Sequence, residues 1–406
     1  MSLGAGARGD SASGHSVRHA VITAAPDAFD FDIPVDRSGT GSQKWDKYAG
    51  RDVIPLWVAD MDFRSPPAVI EALHHRIEHG VFGYTSAPSD LAGVIVKHLA
   101  RDCEWHIDPR WIVWLPGLVT GLNLACLVAG EPGDAVVTLT PIYPPFLSAP
   151  RHAHRQCVRV PLAETNGRWI IDFEGIAAAI TPRTRMLMLC NPHNPVGRVY
   201  TRDELLRVAQ ICARHDLLIC SDEIHYGLVL DEAKRHVPLA GLSPEIAGRT
   251  VTLLAPSKTY NIPGLGMSFA VVPDTALRQR LLRAMSGFTP AVNALGFTAA
   301  LAAYRDSDAW HAALLDYLRG NRDLVAGRMA SMPGLSMCHV EATYLAWIDA
   351  RGIGVDDPQR FFEEAGVGLS DGKEFGAPGF VRLNFGCRRA LLEDALDRIG
   401  AALKRR

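Results

Sequence analysis

Short apolar runs that stop at proline, glycine or a polar residue, each followed by a stretch of helical length, constrain this chain's fold more than any other feature. The runs are 111–115 (WIVWL), 135–139 (AVVTL), 185–190 (RMLMLC), 217–220 (LLIC), 251–255 (VTLLA) and 269–272 (FAVV). They are nearly continuous in apolar character rather than alternating, as strands buried on both faces are. Between them the spacing predicts helices over 118–129 and 201–215, the second with Thr201 as cap and Glu204 three residues on, a capping box. Further helices are predicted at 68–79, where Pro67 suits a first-turn position, at 91–101, and from 277 onward. Strands separated by helices imply a largely parallel sheet with helices on both faces.

Such sheets bind ligands at the carboxyl ends of their strands. Four chemistry-bearing residues fall there: Tyr143, Asn194, Asp222 and Lys258. Singly, each has an ordinary reading. Asp222 could cap a helix, and Lys258 could be a solvated lysine in a turn. A lysine desolvated at a strand end has instead a lowered proton affinity and a nucleophilic amine. Gly117, between a strand and a helix, makes either a generic turn or an anion site at the helix N-terminus. No Walker loop and no GxGxxG motif occurs. Four independent strand-end signals on one edge favour the functional reading.

From about residue 296 the texture changes. A long helix is predicted over 297–328, strands at 344–348 and 380–385, and a helix at 359–364. Arg382 sits inside the last strand among Phe380, Val381, Leu383 and Phe385. Its guanidinium needs a partner, either a protein carboxylate or a carboxylate ligand held bidentately. Tyr84, in a loop, reads on its own as a packing aromatic.

Composition removes several classes. The 406 residues are 48% hydrophobic and 21% charged with a formal net charge of −2, so nothing draws the chain to nucleic acid or an anionic membrane. No apolar stretch approaches the roughly 18 residues of a membrane span. Eight scattered cysteines, no CxxC pair, and burial-prone positions for Cys126, Cys190 and Cys220 argue against a disulfide framework or zinc site and for a reducing compartment, the cytoplasm. The Gly-, Ser- and Ala-rich start is expected to be a disordered tail over residues 1–28.

The order Tyr143, NPVG at Asn194, Asp222, SK at Lys258 and Arg382 resembles fold-type I pyridoxal-phosphate enzymes, the aspartate aminotransferase superfamily. A finer likeness, to the cystathionine β-lyase (cysteine-S-conjugate β-lyase) subgroup, is carried by WVADMDFRSPP at 57–67, HGVFGYT at 79–85, CNPHNPVGRVY at 190–200, SDEIH at 221–225, SKTYNIPGL at 257–265 and VRLNFGCRR at 381–389. The resemblance covers nearly everything from residue 30. It implies an α/β fold with a mostly parallel seven-stranded sheet and a smaller α+β C-terminal domain. The implied division is a segment 29–65 contributing to the small domain and dimer, a large cofactor-binding domain 66–296 and a small domain 297–406.

The same resemblance implies roles. Lys258 would hold pyridoxal 5'-phosphate covalently and then act as the base at the substrate's Cα. Asp222 would pair with the protonated ring nitrogen, Asn194 would donate to the ring's phenolic oxygen, and Tyr143 would stack on the ring. The phosphate would be met by backbone amides of Val119 and Thr120 and by Ser257. Tyr84 would reach it from the neighbouring subunit, making a homodimer with a shared site. Arg382 would clamp the carboxylate of an amino-acid substrate. Two departures favour the lyase subgroup: Gly266, where similar transaminases carry arginine, and His225, where they carry tyrosine. The leading expectation is a C–S β-lyase releasing thiol, pyruvate and ammonia. An aminotransferase is the alternative. The third is a cofactor-binding regulator, for which the lead-in is too short to hold a DNA-binding module.

Overall fold

The computed structural model describes residues 29–405, and the tail expected over residues 1–28 lies outside them. The strands in chain order are β1 (Ile54–Pro55), β2 (Ile112–Leu115), β3 (Ala135–Thr140), β4 (Gln156–Pro161), β5 (Ala163–Thr165), β6 (Arg168–Ile170), β7 (Thr184–Cys190), β8 (Leu218–Asp222), β9 (Thr250–Leu254), β10 (Ser268–Val271), β11 (Ser336–Met337), β12 (Leu345–Asp349), β13 (Val367–Gly368), β14 (Ser370–Asp371) and β15 (Phe380–Asn384). Every apolar run read from the sequence is a strand of one seven-stranded sheet, in the order β2-β10-β9-β8-β7-β3-β4. Neighbours pair in parallel except at β10, which runs antiparallel to both β2 and β9. All residues of β3, β9 and β10 are buried, which is why their sequences do not alternate.

Helices cover the sheet. Leu118–Val128 lies so close that a Cβ at Gly121 would come within 2.8 Å of Leu253 Cδ2 and 3.0 Å of Leu115 Cδ1. Arg202–Arg214 starts at the predicted capping box: Thr201 Oγ1 accepts from Glu204 N–H at 3.2 Å, and the Glu204 carboxylate accepts from Thr201 N–H at 2.8 Å. A second sheet, β11-β12-β15-β14, is antiparallel and places Arg382 opposite Trp347 on one side and Ser370 on the other. β1 joins this half of the molecule by pairing with β13.

One expectation is corrected. The helix over 297–328 is two helices, Ala294–Asp306 and Asp308–Ala330, separated at the buried Ser307. The Ser307 hydroxyl turns back to donate to Ala302 O at 3.1 Å, a side-chain bond that competes with helix continuation. Strand β4 and the hairpin β5–β6 went unread because they lie at or beyond the sheet edge, where exposed polar residues break the apolar signature. Among the described residues no helix is long and apolar enough to cross a membrane, and no group of three or more His, Cys, Asp or Glu is placed to hold a metal.

Candidate active site

From β3 the chain steps outward to β4, then returns to the other side of β3 with β7. The order in which strands are added therefore reverses at β3, whose neighbours β4 and β7 both run parallel to it, and the crevice at the carboxyl ends of β3 and β7 is the place where such sheets hold ligands. A cavity of about 260 Å³ opens there, lined by Tyr143, Asn194, Asp222 and Lys258 together with Arg382, Ser257, Val119, His225 and Cys190. The Tyr143 loop and the Asn194 loop are tied directly, Tyr143 N–H donating to Asn194 O at 3.2 Å. A roomier groove of about 600 Å³ lies between residues 29–35 and the helix Pro67–Glu78, but every charged side chain lining it is exposed. The smaller cavity holds the perturbed groups.

Lys258 follows β9 and faces the cavity, screened from bulk water by its walls. Its Nζ donates to Ala59 O, and desolvation lowers the amine from 10.5 to about 8 despite the opposing pull of Asp60 and Asp222. Asp222 is 2% exposed at the end of β8. Its Oδ1 accepts from Ile224 N–H at 3.0 Å, yet burial raises the carboxyl from 3.8 to about 7, with Glu223 adding to the rise and Lys258 opposing it. No cation pairs with Asp222 among the described residues, so the site lacks a positive group here.

Arg382 shows the opposite deficit. It is 4% exposed, and burial pushes it down to about 10. Nη1 donates to Asn194 Oδ1 at 3.0 Å, and Nη2 donates to Trp57 O at 2.9 Å and Ser370 Oγ at 3.3 Å. The guanidinium lies 4.7 Å from the Phe375 ring centroid, and Nε has no partner. Among the described residues no Asp or Glu lies within ion-pair distance. Of the two partners open to this arginine, the protein supplies no carboxylate.

His225 lines the same cavity at 2% exposure, with Nδ1 unpartnered. Burial, with Lys258 and Arg382 adding to it, lowers it to about 3, so the ring is neutral. Its edge faces Tyr344 at 6.2 Å between centroids, and Tyr344 OH donates to Ala59 O at 2.9 Å.

At the other end of the cavity, residues 116–119 with Ser257 and Gly266 surround the start of the helix Leu118–Val128, whose first N–H groups lack helical acceptors. Val119 is at the cavity wall, whereas Thr120 is not among its lining residues. Gly266 has φ +57, and a Cβ there would come 3.0 Å from Pro116 O, so a larger residue would need a strained backbone. Tyr84 lies outside this cavity. It is fully exposed beside Phe82 and Val292 in a separate surface depression.

Sequence reasoning missed the segment 57–61 as a structural part of the site. Its successive carbonyls are taken by side chains from distant positions: Trp57 O by Arg382, Val58 O by Asn384 Nδ2 at 2.6 Å, Ala59 O by Lys258 and Tyr344, and Met61 O by Asn261 Nδ2 at 2.9 Å. Backbone acceptors leave no residue-type signal, so only the unusual WVADMDF string marked the place.

The profile of the family described as aminotransferase class I and II matches residues 51–399. Cystathionine beta-lyase PatB of Bacillus subtilis (strain 168) is 38% identical over 385 residues, spanning 92% of this chain and 99% of PatB. Among solved structures, OvoB is 48% identical with a TM-score of 0.91, covering 92% of this chain and 99% of its own. Cystalysin from Treponema denticola, whose crystal structure contains a pyridoxal 5'-phosphate cofactor, is 31% identical with a TM-score of 0.89, covering 93% and 99%. By sequence over most of its length and by the arrangement of its sheet, the chain belongs to the aminotransferase class I and II family.

Proposed function

We propose that this chain is a pyridoxal-phosphate-dependent C–S β-lyase that cleaves cystathionine or another cysteine S-conjugate to a thiol, pyruvate and ammonia. One observation carries the reading: a buried guanidinium without a protein carboxylate, Arg382, opens on the same cavity as the neutralisable amine of Lys258. The substrate's α-carboxylate supplies the missing anion and sets its Cα toward Lys258. The unmatched Asp222 suits a protonated ring nitrogen, and the helix start at Gly117 suits an anionic tail, so the residues fit this cofactor.

When bound, the cofactor withdraws electron density from Cα. The protein's residues do the rest. Lys258, with an amine near 8, is deprotonated in a useful fraction at neutral pH and takes the Cα proton. The electron pair so released forms the Cα–Cβ double bond as the Cβ–S bond breaks, and sulfur leaves with its own pair. Asn194 and Tyr143 orient the ring. The Val119 amide and the Ser257 hydroxyl, which line the cavity, would hold the phosphate, with Tyr84 contributed across a homodimer. The exposure of Tyr84 with Val81, Phe82 and Phe288 supports that assembly. The division into segment 29–65, large domain 66–296 and small domain 297–406 belongs to the same reading, as does the cytoplasm, which suits eight free cysteines.

Gly266 supports elimination over amino transfer, because its backbone and the nearby Pro116 carbonyl leave no place for the arginine that similar transaminases carry. The family profile keeps an aminotransferase as the second reading. Purified protein incubated with cystathionine alone should release thiol and pyruvate. Transfer to 2-oxoglutarate as the main outcome would overturn the lyase reading.

A further inference from the structure

Directly behind Asp222 lies a second buried carboxylate that the reaction above does not use. The Glu223 side chain is 0% exposed. Its Oε1 accepts from Ser221 Oγ at 2.8 Å and Leu239 N–H at 3.1 Å, and its Oε2 meets His236 Nε2 at 2.7 Å. Its backbone N–H donates to Leu253 O at 2.9 Å, on the strand that leads to Lys258. Three donors converge on an acceptor-only group, the arrangement of an ionised carboxylate.

His236 meets that carboxylate through Nε2 alone. Its side chain is 2% exposed and its Nδ1 is buried without a partner. A single ring proton, on Nε2 and directed at Glu223, satisfies the geometry. A second proton would have no acceptor. No Lys or Arg lies within ion-pair distance of Glu223 among the described residues. A lone buried carboxylate is costly, and a neutral amide of the same shape would tie the same loop to Ser221 and Leu239 more cheaply. Its charge is what distinguishes it, and that charge reaches Asp222, where it opposes loss of the proton.

We propose that Glu223 is a positioning residue whose buried charge, held by Ser221, Leu239 and His236, keeps a proton on the pairing between Asp222 and the ring nitrogen of the bound cofactor. The inference rests on the cofactor reading given above. Glu223 touches neither cofactor nor substrate. It acts through Asp222, by raising the electron-withdrawing, protonated share of the ring.

The test uses the full chain loaded with pyridoxal phosphate labelled with ¹⁵N at the ring nitrogen, read by solid-state NMR across pH, and in parallel the cofactor's dissociation constant. In Glu223→Gln the ring nitrogen should lose its proton about one pH unit earlier, with roughly tenfold weaker cofactor binding. A folded Glu223→Gln protein with wild-type ¹⁵N titration and affinity overturns the proposal. If that variant does not fold, two changes at His236 decide. His236→Gln keeps a donor on Glu223 and should leave the titration unchanged. His236→Leu removes the donor and should move it in the Glu223→Gln direction. Equal behaviour of the two also overturns the proposal. A wild-type protein that takes up no cofactor overturns the functional reading itself, a result separable from the others.

Discussion

Arg382 donates to Asn194 Oδ1 at 3.0 Å across 188 positions of chain, so the arginine of the C-terminal sheet is aimed by a residue at the end of a strand in the central sheet. Among the described residues Arg382 has no protein carboxylate as partner, only the Asn194 amide, the Trp57 carbonyl and the Ser370 hydroxyl. Both are buried, so leaving either polar group unpaired would be costly. In the proposed reaction this contact would make substrate capture and ring placement depend on one another.

Arg382→Lys keeps the charge but loses the planar fork and the contact with the Phe375 ring. With one charge-assisted hydrogen bond lost at about 1.5–3 kcal/mol, kcat/KM should fall by roughly 10- to 150-fold. The absorbance of the bound cofactor should be unchanged. Steady-state kinetics beside an absorbance spectrum check this; an unaltered kcat/KM would refute the carboxylate clamp.

Lys258→Ala should abolish both the yellow absorbance and thiol release, while the far-ultraviolet circular dichroism stays that of the parent. The position is at the cavity wall rather than in the packed core, so truncation removes chemistry without leaving a void among apolar side chains. Residual turnover at the parent rate would exclude Lys258 as the base.

Asp222 predicts a pH signature in the cofactor-free protein. Its carboxyl is raised from 3.8 to about 7, so between those values the native state holds a proton that the unfolded chain has released. Stability therefore falls as pH rises through that window, and the loss is complete above about 7. Asp222→Asn removes the titration, and its gain in Tm over the parent should grow from about pH 5 to about pH 7 and then level off. Lys258 acts later and with the opposite slope: lowered to about 8, it adds stability only as pH rises from there toward 10.5. A Tm difference that does not vary with pH would contradict the burial assigned to Asp222.

Lys44 anchors the segment that carries the Trp57 and Ala59 carbonyls. Its side chain is fully buried, with Nζ donating to Asp62 Oδ2 at 2.8 Å and Asp60 O at 3.1 Å. Lys44→Met leaves Asp62 with Arg37 and the Trp45 indole N–H, and breaking such a pair costs about 3 kcal/mol. Urea unfolding should show a lower midpoint with an unchanged slope; equal midpoints would show that the pair contributes nothing net.

Much of the site was legible because its cause is local. Tyr143, Asn194, Asp222 and Lys258 each follow an apolar run, and a polar residue after a buried strand is visible in a few consecutive letters. Arg382 was visible as a charge inside a strand, but its partners were not. Trp57 O, Ser370 and Phe375 come from places that only the folded chain brings together. Thr201 and Glu204 were legible as a cap because three-residue spacing is enough. The break at Ser307 was not, because a serine in a helical stretch either faces water or turns back on the chain, and burial decides which. Glu223 shows a further limit: its sequence neighbour announces the site, while its three donors lie at 221, 236 and 239.

The reversed direction of β10 has a consequence for Lys258. Because β10 runs against β9, with Phe269 opposite Leu254, the chain between them leaves and re-enters the sheet on the same edge. The lysine thus rides on a tether moored at both ends to adjacent hydrogen-bonded strands, and the Ile262 N–H to Ser257 O bond at 3.0 Å shortens the slack. Its Cα is held in place, and the amine sits at the end of four side-chain torsions, bonded to Ala59 O. In the proposed reaction, side-chain rotation would be enough to withdraw the amine from the ligand and return it, with no part of the backbone asked to move.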